Sequence, residues 1–489
     1  MATLELCVVV TAPTMAELRR QRDAIVDADL VELRLDKVRD PSVSGALEGR
    51  TRPVIITCRA ASEGGGFTGS EEERHRILSE ALESGAEYVD IEWRARFDDL
   101  VSRGGRRVVL SSHDFSGMSR DLPEQLRAMR GATTGISKIA VTPQRLADCV
   151  PLLALGADAS RDSRIVVIGM GDYGLPTRLL GARFGSVWTY AGALRDIGQV
   201  TASSLINEYR LRSVSDTTAI YGIVGGSVMH SVSPSMHNAA FAAAGIDAVY
   251  LPLPAVDADD FLAFGRAFGI SGASVTIPHK VSLFDRVDDV DAIARRIGAI
   301  NTIRVVDGRW LARNTDANGF LHPLLNHVEL EGRRAGILGA GGAARAVAVA
   351  LSSAGCAVRV HARQRPQAEE VAALVTGSVG SWPPEPDSWD LLVNCTPIGT
   401  YPNVDDTPLP AERLTGSVVY DLVYNPPSTR LLREAAARGC HTIGGLDMLV
   451  GQAHEQFSWW TGALPPTGVM RQAADRRLTE FTRHEDYVV

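Results

Sequence analysis

The sequence predicts an α/β protein in two tandem parts: a (β/α)8 barrel, then a two-domain module ending in a Rossmann-type sheet. Three observations carry that prediction. Eight short β-branched runs alternate with helix-like segments before residue 213. Around RSVSDTTAIYGIVGGSVMHSVSPSMH (212–237) the pattern stops and restarts with a Ser-rich loop. A glycine turn set between a strand and a helix follows at 335–351, AGILGAGGAARAVAVAL.

The 489 residues exceed what one ordinary core holds, so two or three domains are expected. Composition is that of a globular protein, with 45% hydrophobic and 22% charged residues. A net charge of −8 argues against nucleic-acid partners, because a phosphate backbone needs a basic surface. No apolar run reaches membrane-spanning length, so no membrane partner is expected. The opening MATLELCVVVTAPT reads as a first strand rather than a leader, and a cytoplasmic protein is expected. Cys7, Cys58, Cys149, Cys356, Cys395 and Cys440 are scattered without metal-ligand spacing; no metal is expected, and buried reduced thiols are. Oligomeric state is not encoded in any of these features.

In the first part, the runs are Leu6–Val10, Leu30–Leu35, Val54–Thr57, Tyr88–Ile91, Val108–Leu110, Ile136–Val141, Ile165–Ile168 and Ser186–Tyr190, with helices at segments such as Glu71–Glu83 and Pro143–Leu155. A doubly wound sheet fits this periodicity almost as well. The polar residues favour the barrel: Glu32 and Arg34, Arg59 and Glu63, Asp90 and Glu92, His113, Lys138, Arg178 and Gln199 all fall at strand ends, where a barrel gathers its site. Lys138 in GISKIAVT would bury its amine. A strand lysine is more often a buried stem with its head in water. Beside His113 and other cations, a desolvated amine can instead add to a ketone and form an imine, an electron sink for a neighbouring carbanion. A histidine then removes the adjacent proton and protonates a leaving hydroxide, with Glu63 holding its tautomer. Arg34, Arg59 and Arg178 suit a carboxylated, hydroxylated substrate. That chemistry is dehydration of a β-hydroxy ketone.

VELRLD (31–36), TCRAASEGG (57–65), SSHDF (111–115), SKIA (137–140) and MGDYGLPTR (170–178) resemble the type I 3-dehydroquinate dehydratases, in family order. The resemblance implies Lys138 as the Schiff-base lysine, His113 as general acid/base with Glu63, and substrate contacts from Glu32, Arg34, Arg59, Arg178 and Gln199. Where the family lid reads Ser-Ala-Pro-Gly-Gln, this chain has RDIGQ (195–199): Gln199 is kept, and Arg195 and Asp196 replace the serine and alanine.

Residues 213–218 form a short polar joint. Beyond it, a strand at Ala219–Val224 leads into the Ser-rich loop, with a helix at Ser235–Ala244 and Ser233 as its cap; turn and capping chemistry would explain Ser231 and Ser233 equally well. A strand at Ala248–Leu253 follows. Pro278 should end the next strand and leave His279 and Lys280 in a loop, and Asn301 and Asp316 are expected in loops as well. Lys280 and Asp316 suit hydride transfer to a ketone, where a nascent alkoxide needs a proton. In the nucleotide turn, Gly339, Gly341 and Gly342 with Ala344 fit G-x-G-x-x-A and would set a pyrophosphate at a helix N-terminus. The next strand, Ala357–Val360, ends in HARQR. Arg363 and Arg365 stand where an NAD site would have an acid, which points to a 2′-phosphate and so to NADP. A helix at 444–460 carries Gln452 near its start, and a last helix at about Val469–Phe481 should pack on the first part of this module.

HSVSPSMHN, VTIPHK, GAINT, NTDANGF, GAGGAARA, NCTPIG, DLVYNP and GGLDMLVGQA resemble shikimate dehydrogenase over 219–489. The resemblance implies Lys280 and Asp316 as the catalytic pair, and substrate contacts from Ser231, Ser233, Thr276, Asn301, Tyr424 and Gln452. It places Gly339, Ala340, Gly341, Gly342, Ala343, Arg363 and Thr396 on the cofactor. Ser274 replaces the usual asparagine of Asn-Val-Thr, and Ala362-Arg363-Gln364 replaces Asn-Arg-Thr. The expected domains are 1–213, the dehydratase barrel; 219–317, the shikimate-binding α/β part completed by 451–489; and 318–450, the NADP-binding part. Together the halves resemble the fused dehydratase–dehydrogenase family. That implies dehydration of 3-dehydroquinate to 3-dehydroshikimate and NADPH reduction to shikimate, with small molecules as partners. The alternatives are a quinate dehydrogenase linked to NAD, or a metabolite-sensing regulator, which would be expected to have lost a catalytic lysine.

Overall fold

The computed structural model describes residues 4–133, 135–157, 164–192 and 199–485. They form two compact units, Met1–Ala219 with Asp247–Gly269, and Ile220–Ile246 with Ile270–Val489. Arg195 and Asp196 of the expected lid lie outside the described residues.

The first unit holds eight parallel strands: β1 (Glu5–Val10), β2 (Leu30–Arg34), β3 (Val54–Thr57), β4 (Tyr88–Glu92), β5 (Val108–Asp114), β6 (Ile136–Val141), β7 (Arg164–Gly169) and β8 (Trp188–Ala191). They run in the order β7-β6-β5-β4-β3-β2-β1-β8, and a bridge from Ile165 to Ser186 brings the ends together. This is the predicted barrel rather than an open doubly wound sheet. Alternation along each strand decides what faces inward. Leu30, Val109 and Ile136 belong to an inner core with Cys7, Ile55, Val166 and Trp188. Two residues further along the same strands come Glu32, Ser111 and Lys138, buried at the carboxyl end. One helix starts later than expected: Leu146–Asp148 is a 3-10 turn and the α-helix is Cys149–Ala157. The Asp148 carboxylate accepts from Gln144 N and Arg145 N (2.8 and 3.2 Å), holding that segment in a turn. Segment 247–269 joins this unit through Asp260, fully buried, which accepts from Leu146 N, Ala147 N and Arg145 Nε.

A second sheet contains β9 (Ala219–Gly225), β10 (Ala248–Pro254), β11 (Gly272–Val275), β12 (Asp289–Val290), β13 (Thr302–Val306) and β14 (Arg309–Arg313), in the order β10-β9-β11-β13-β14-β12. A third is all parallel: β15 (Arg334–Leu338), β16 (Ala357–His361), β17 (Ser378–Val379), β18 (Leu391–Asn394), β19 (Val418–Asp421) and β20 (His441–Gly444), in the order β17-β16-β15-β18-β19-β20. That is the doubly wound 3-2-1-4-5-6 order, whose reversal beside the first strand opens a crevice at the strand carboxyl ends. The last helix, Val469–Glu485, packs on the helix Ser233–Ala243, as expected.

Three local expectations are corrected. Ser233 is the first helical residue rather than the cap; Ser231 Oγ accepts its N–H at 3.2 Å. His279 and Lys280 open a short helix, His279–Ser282, with Pro278 preceding it. Asp316 opens the helix Asp316–Leu325, because Asn314 Oδ1 accepts from its N–H (3.0 Å) and starts the turn. All six cysteines are free, five of them buried. No helix among the described residues is long and apolar enough to cross a membrane.

Candidate active sites

The barrel mouth encloses a cavity of about 440 Å³ lined by Glu32, Arg34, Arg59, Glu63, His113, Lys138, Arg178 and Gln199. Every first-part residue given a catalytic or substrate-binding role from the sequence therefore meets in one place, while Asp90 and Glu92, also expected at strand ends, are not among the lining residues. Lys138 is 5% exposed, which decides against a solvated head group. Its Nζ lies 3.2 Å from Asp90 and 3.4 Å from Glu32, over the ring of Tyr190 at 4.3 Å. Burial pushes the Asp90 carboxyl up, but Arg59 and Lys138 outweigh it and hold it far below the usual range. Asp90 is thus a fixed anion, with Ser111 Oγ donating to it at 2.6 Å and Arg59 at 3.0 Å. Removing such a charge would leave Lys138 with Glu32 as its remaining ion-pair partner among the described residues.

His113 Nδ1 is 3.1 Å from both Glu63 Oε2 and Arg59 Nη1. A ring nitrogen serves one of them at a time. With its proton it donates to Glu63 and leaves Nε2 a base; without it, Nδ1 accepts from Arg59 and Nε2 carries the proton. Burial, then the charges of Arg59 and Lys138, hold the imidazole well below its usual 6.5. Neutral imidazole is the resting form. Burial raises Glu63 from 4.5 to about 7. Its proton is held more tightly folded than unfolded, so its contribution to stability is whole below pH 4.5 and is lost as pH rises through 7. Thermal melts of Glu63→Gln should lack that part of the decline; an unchanged profile would refute the assignment.

Arg178 is buried, its Nε has no hydrogen-bond partner among the described residues, and Nη1 donates to Tyr190 O at 3.3 Å. Burial lowers it to about 10. A buried guanidinium with no counter-ion among the described residues is a receptor for a carboxylate. Arg34 differs, since both its Nε and Nη2 donate to Asp36 at 2.8 Å. The cavity also exposes Phe115, Met170 and Tyr190, to which no role was assigned from sequence. Nor was a role given to Asp90. The inward face of WTYA was the available signal for Tyr190, and the even spacing of Tyr88, Asp90 and Glu92 for Asp90.

In the second unit Lys280 and Asp316 form an ion pair. Asn301 Nδ2 donates to Asp316 Oδ1 (2.8 Å), Thr315 Oγ1 (2.9 Å) and Gln452 Oε1 (3.2 Å). Gln456 continues the network, donating to Gln452 Oε1 and accepting from Ser274 Oγ, both at 2.7 Å. Ser274 therefore serves to orient Gln456, and Gln456 was not anticipated. Ser231 and Tyr424 form a second group, in which burial raises the phenol and the hydrogen bond with Ser231 opposes it. Thr276 stands in the turn that leads into His279 and Lys280, its carbonyl accepting from His279 N at 2.8 Å.

The nucleotide turn meets this site directly. Gly339 has φ +105, a value side chains avoid. A Cβ on Gly342 would lie 3.0 Å from Lys280 Cβ, so the lysine stem lies against the turn. Thr396 flanks Gly339, with its Oγ1 donating to Asn394 Oδ1 at 2.6 Å. Ala340, Gly341 and Ala343 complete the loop and the start of the helix Gly342–Ser353. Beyond β16, Arg363 is exposed and Arg365 pairs with Glu369 at 2.9 Å on the surface. This turn, this strand order and Arg363 fit a dinucleotide carrying a 2′-phosphate.

Both parts of the chain match known families, and the second match runs through segment 247–269, which packs with the barrel unit. Residues 6–216 match the type I 3-dehydroquinase family, 223–303 the shikimate dehydrogenase substrate-binding domain, and 445–474 the shikimate 5′-dehydrogenase C-terminal domain. A shikimate dehydrogenase (NADP+) of Moorella thermoacetica is 44% identical over 55% of this chain and 95% of its own. A crystal structure of a shikimate dehydrogenase in complex with NADP+ is 35% identical, with a TM-score of 0.51, over 54% of this chain and 97% of that one. The chloroplastic bifunctional 3-dehydroquinate dehydratase/shikimate dehydrogenase of Arabidopsis thaliana is 32% identical over 94% of this chain and 82% of its own length. The chain belongs to the bifunctional 3-dehydroquinate dehydratase/shikimate dehydrogenase family.

Proposed function

We propose that this protein dehydrates 3-dehydroquinate to 3-dehydroshikimate in the barrel and reduces that product to shikimate with NADPH in the second module. The observation that carries the reading is that each module has a lysine at its site: Lys138 buried on the wall of the barrel cavity, and Lys280 paired with Asp316. In the first step the Lys138 amine adds to the substrate ketone and water leaves, giving a protonated imine. His113 takes the α-proton, the electron pair moves into the imine, and the β-hydroxyl leaves with a proton from His113. Water then returns the ketone and frees Lys138. Arg178 holds the carboxylate, while Glu32, Arg34, Arg59 and Gln199 meet the hydroxyls.

In the second module Ser231, Ser233, Thr276, Tyr424, Asn301 and Gln452 orient the enone, with Lys280 giving a proton to the oxygen and Asp316 setting its charge. NADPH supplies the hydride when bound. Gly339, Ala340, Gly341, Gly342, Ala343 and Thr396 would hold its phosphates and nicotinamide end, and Arg363 its 2′-phosphate. Arg363→Ala should raise the KM for NADPH about 10-fold and leave that for NADH unchanged, as loss of a charge-assisted contact implies; equal effects on both would count against the assignment. The working domains are 1–213, 219–317 with 451–489, and 318–450. The free cysteines support a reducing, cytoplasmic setting. Neither the quinate nor the sensor alternative gains support from the relatives. The direct test is purified protein with 3-dehydroquinate and NADPH: shikimate should form with stoichiometric NADPH loss. Accumulation of 3-dehydroshikimate, or no turnover, would refute one or both halves.

A further inference from the structure

The second unit contains another cavity, of about 710 Å³, apart from Lys280 and the nucleotide turn among its lining residues. Its walls come from β13, β14 and the helices Ala292–Ile297, Asp316–Leu325 and Gly445–Thr461. Trp460 fixes that helix, its Nε1 donating to Ile303 O at 2.9 Å, and the next residue back, Trp459, lines the cavity. Arg313 lies over the Trp459 ring at 4.4 Å and 3.9 Å from Asp291, so its charge is engaged. Arg304 is half-buried, and its guanidinium has no hydrogen bond or ion pair among the described residues. Glu455, also half-buried, has Asn318 Nδ2 at 3.4 Å as its hydrogen-bond donor, and burial raises its carboxyl. Ile293 (43%) and Leu464 (85%) are exposed apolar residues on the same wall.

The charges decide the class of ligand. Two arginines face two carboxylates, and burial keeps His454 uncharged. A simple anion would meet Asp291 and Glu455, and a simple cation the arginines. A molecule carrying both charges on adjacent atoms meets neither penalty. The aromatic and apolar wall then asks for a large apolar body. We propose that this cavity binds a free α-amino acid with a large apolar side chain, its carboxylate on Arg304, its ammonium at Glu455 and its side chain against Trp459, Ile293 and Leu464. The cavity borders the turn that carries Asp316: Asn314 and Thr315 line it, and Thr315 N donates to Asn301 Oδ1 at 2.8 Å.

Calorimetric titration of the full chain with L-phenylalanine should give saturable binding. Phenylacetate, phenethylamine and L-alanine, each lacking one of the three recognised groups, should bind at least about 10-fold more weakly. Arg304→Gln and Trp459→Leu should each weaken L-phenylalanine binding about 10-fold while melting curves and shikimate oxidation persist. Lys280→Ala should leave the affinity unchanged. The proposal is overturned if the folded wild-type chain does not bind L-phenylalanine, if phenylacetate binds as well, if Arg304→Gln has no effect, or if shikimate displaces the ligand.

Discussion

Lys138→Ala is expected to lower kcat for dehydration by about 10⁴-fold or more, because the imine route has no substitute for a primary amine. Borohydride added during turnover should attach substrate to the wild-type chain at Lys138 and leave the variant unlabelled. NADP-linked shikimate oxidation should continue, which separates lost chemistry from lost folding. That control matters here. Lys138 lies between Glu32 and Asp90, and removing its charge leaves two carboxylates balanced by Arg59 alone. A fall of less than about 100-fold, the scale of a general acid–base contribution, would sink the imine mechanism.

The mirror experiment is Lys280→Ala, expected to cut kcat for shikimate oxidation by about 10³-fold with dehydration untouched. Two effects add. The proton donor for the alkoxide is gone, and Asp316 and Asn301 lose the cation around which their network is arranged. Lys280 also packs its stem against Gly342, so KM for NADPH should rise modestly while kcat carries most of the loss. A loss confined to KM would make Lys280 a binding residue and transfer the proton to another group.

Much of the molecule was legible in sequence because periodicity and strand-end polarity are local signals. The alternation Ile136, Lys138, Ala140 says that one face holds an amine between apolar neighbours, and Glu71–Glu83 reads as a helix from its own spacing. The motifs named the residues that line the barrel cavity and those of the Lys280, Asp316, Asn301 and Gln452 network. Their partners were harder to find. Asp90 looks like any strand carboxylate until the barrel curls it beneath Lys138. Gln456 looks like one polar position of an amphipathic helix until Ser274, Thr302 and Gln452 surround it. Element starts were missed where one side chain decides them, as Asn314 does for the helix at Asp316 and Asp148 for the turn before Cys149.

By itself, then, the sequence determined the order of strands and helices, the inward residues and the chemical types gathered at the strand ends, since these follow from spacing of two and of three to four along one chain. Tertiary structure alone decided which charges share a burial, that His113 Nδ1 stands between Arg59 and Glu63, that segment 247–269 packs with the barrel unit through Asp260, and that Arg304 and Trp459 face one cavity. Those are meetings between residues far apart in the chain, and their energies depend on distance and desolvation, which only the folded arrangement sets.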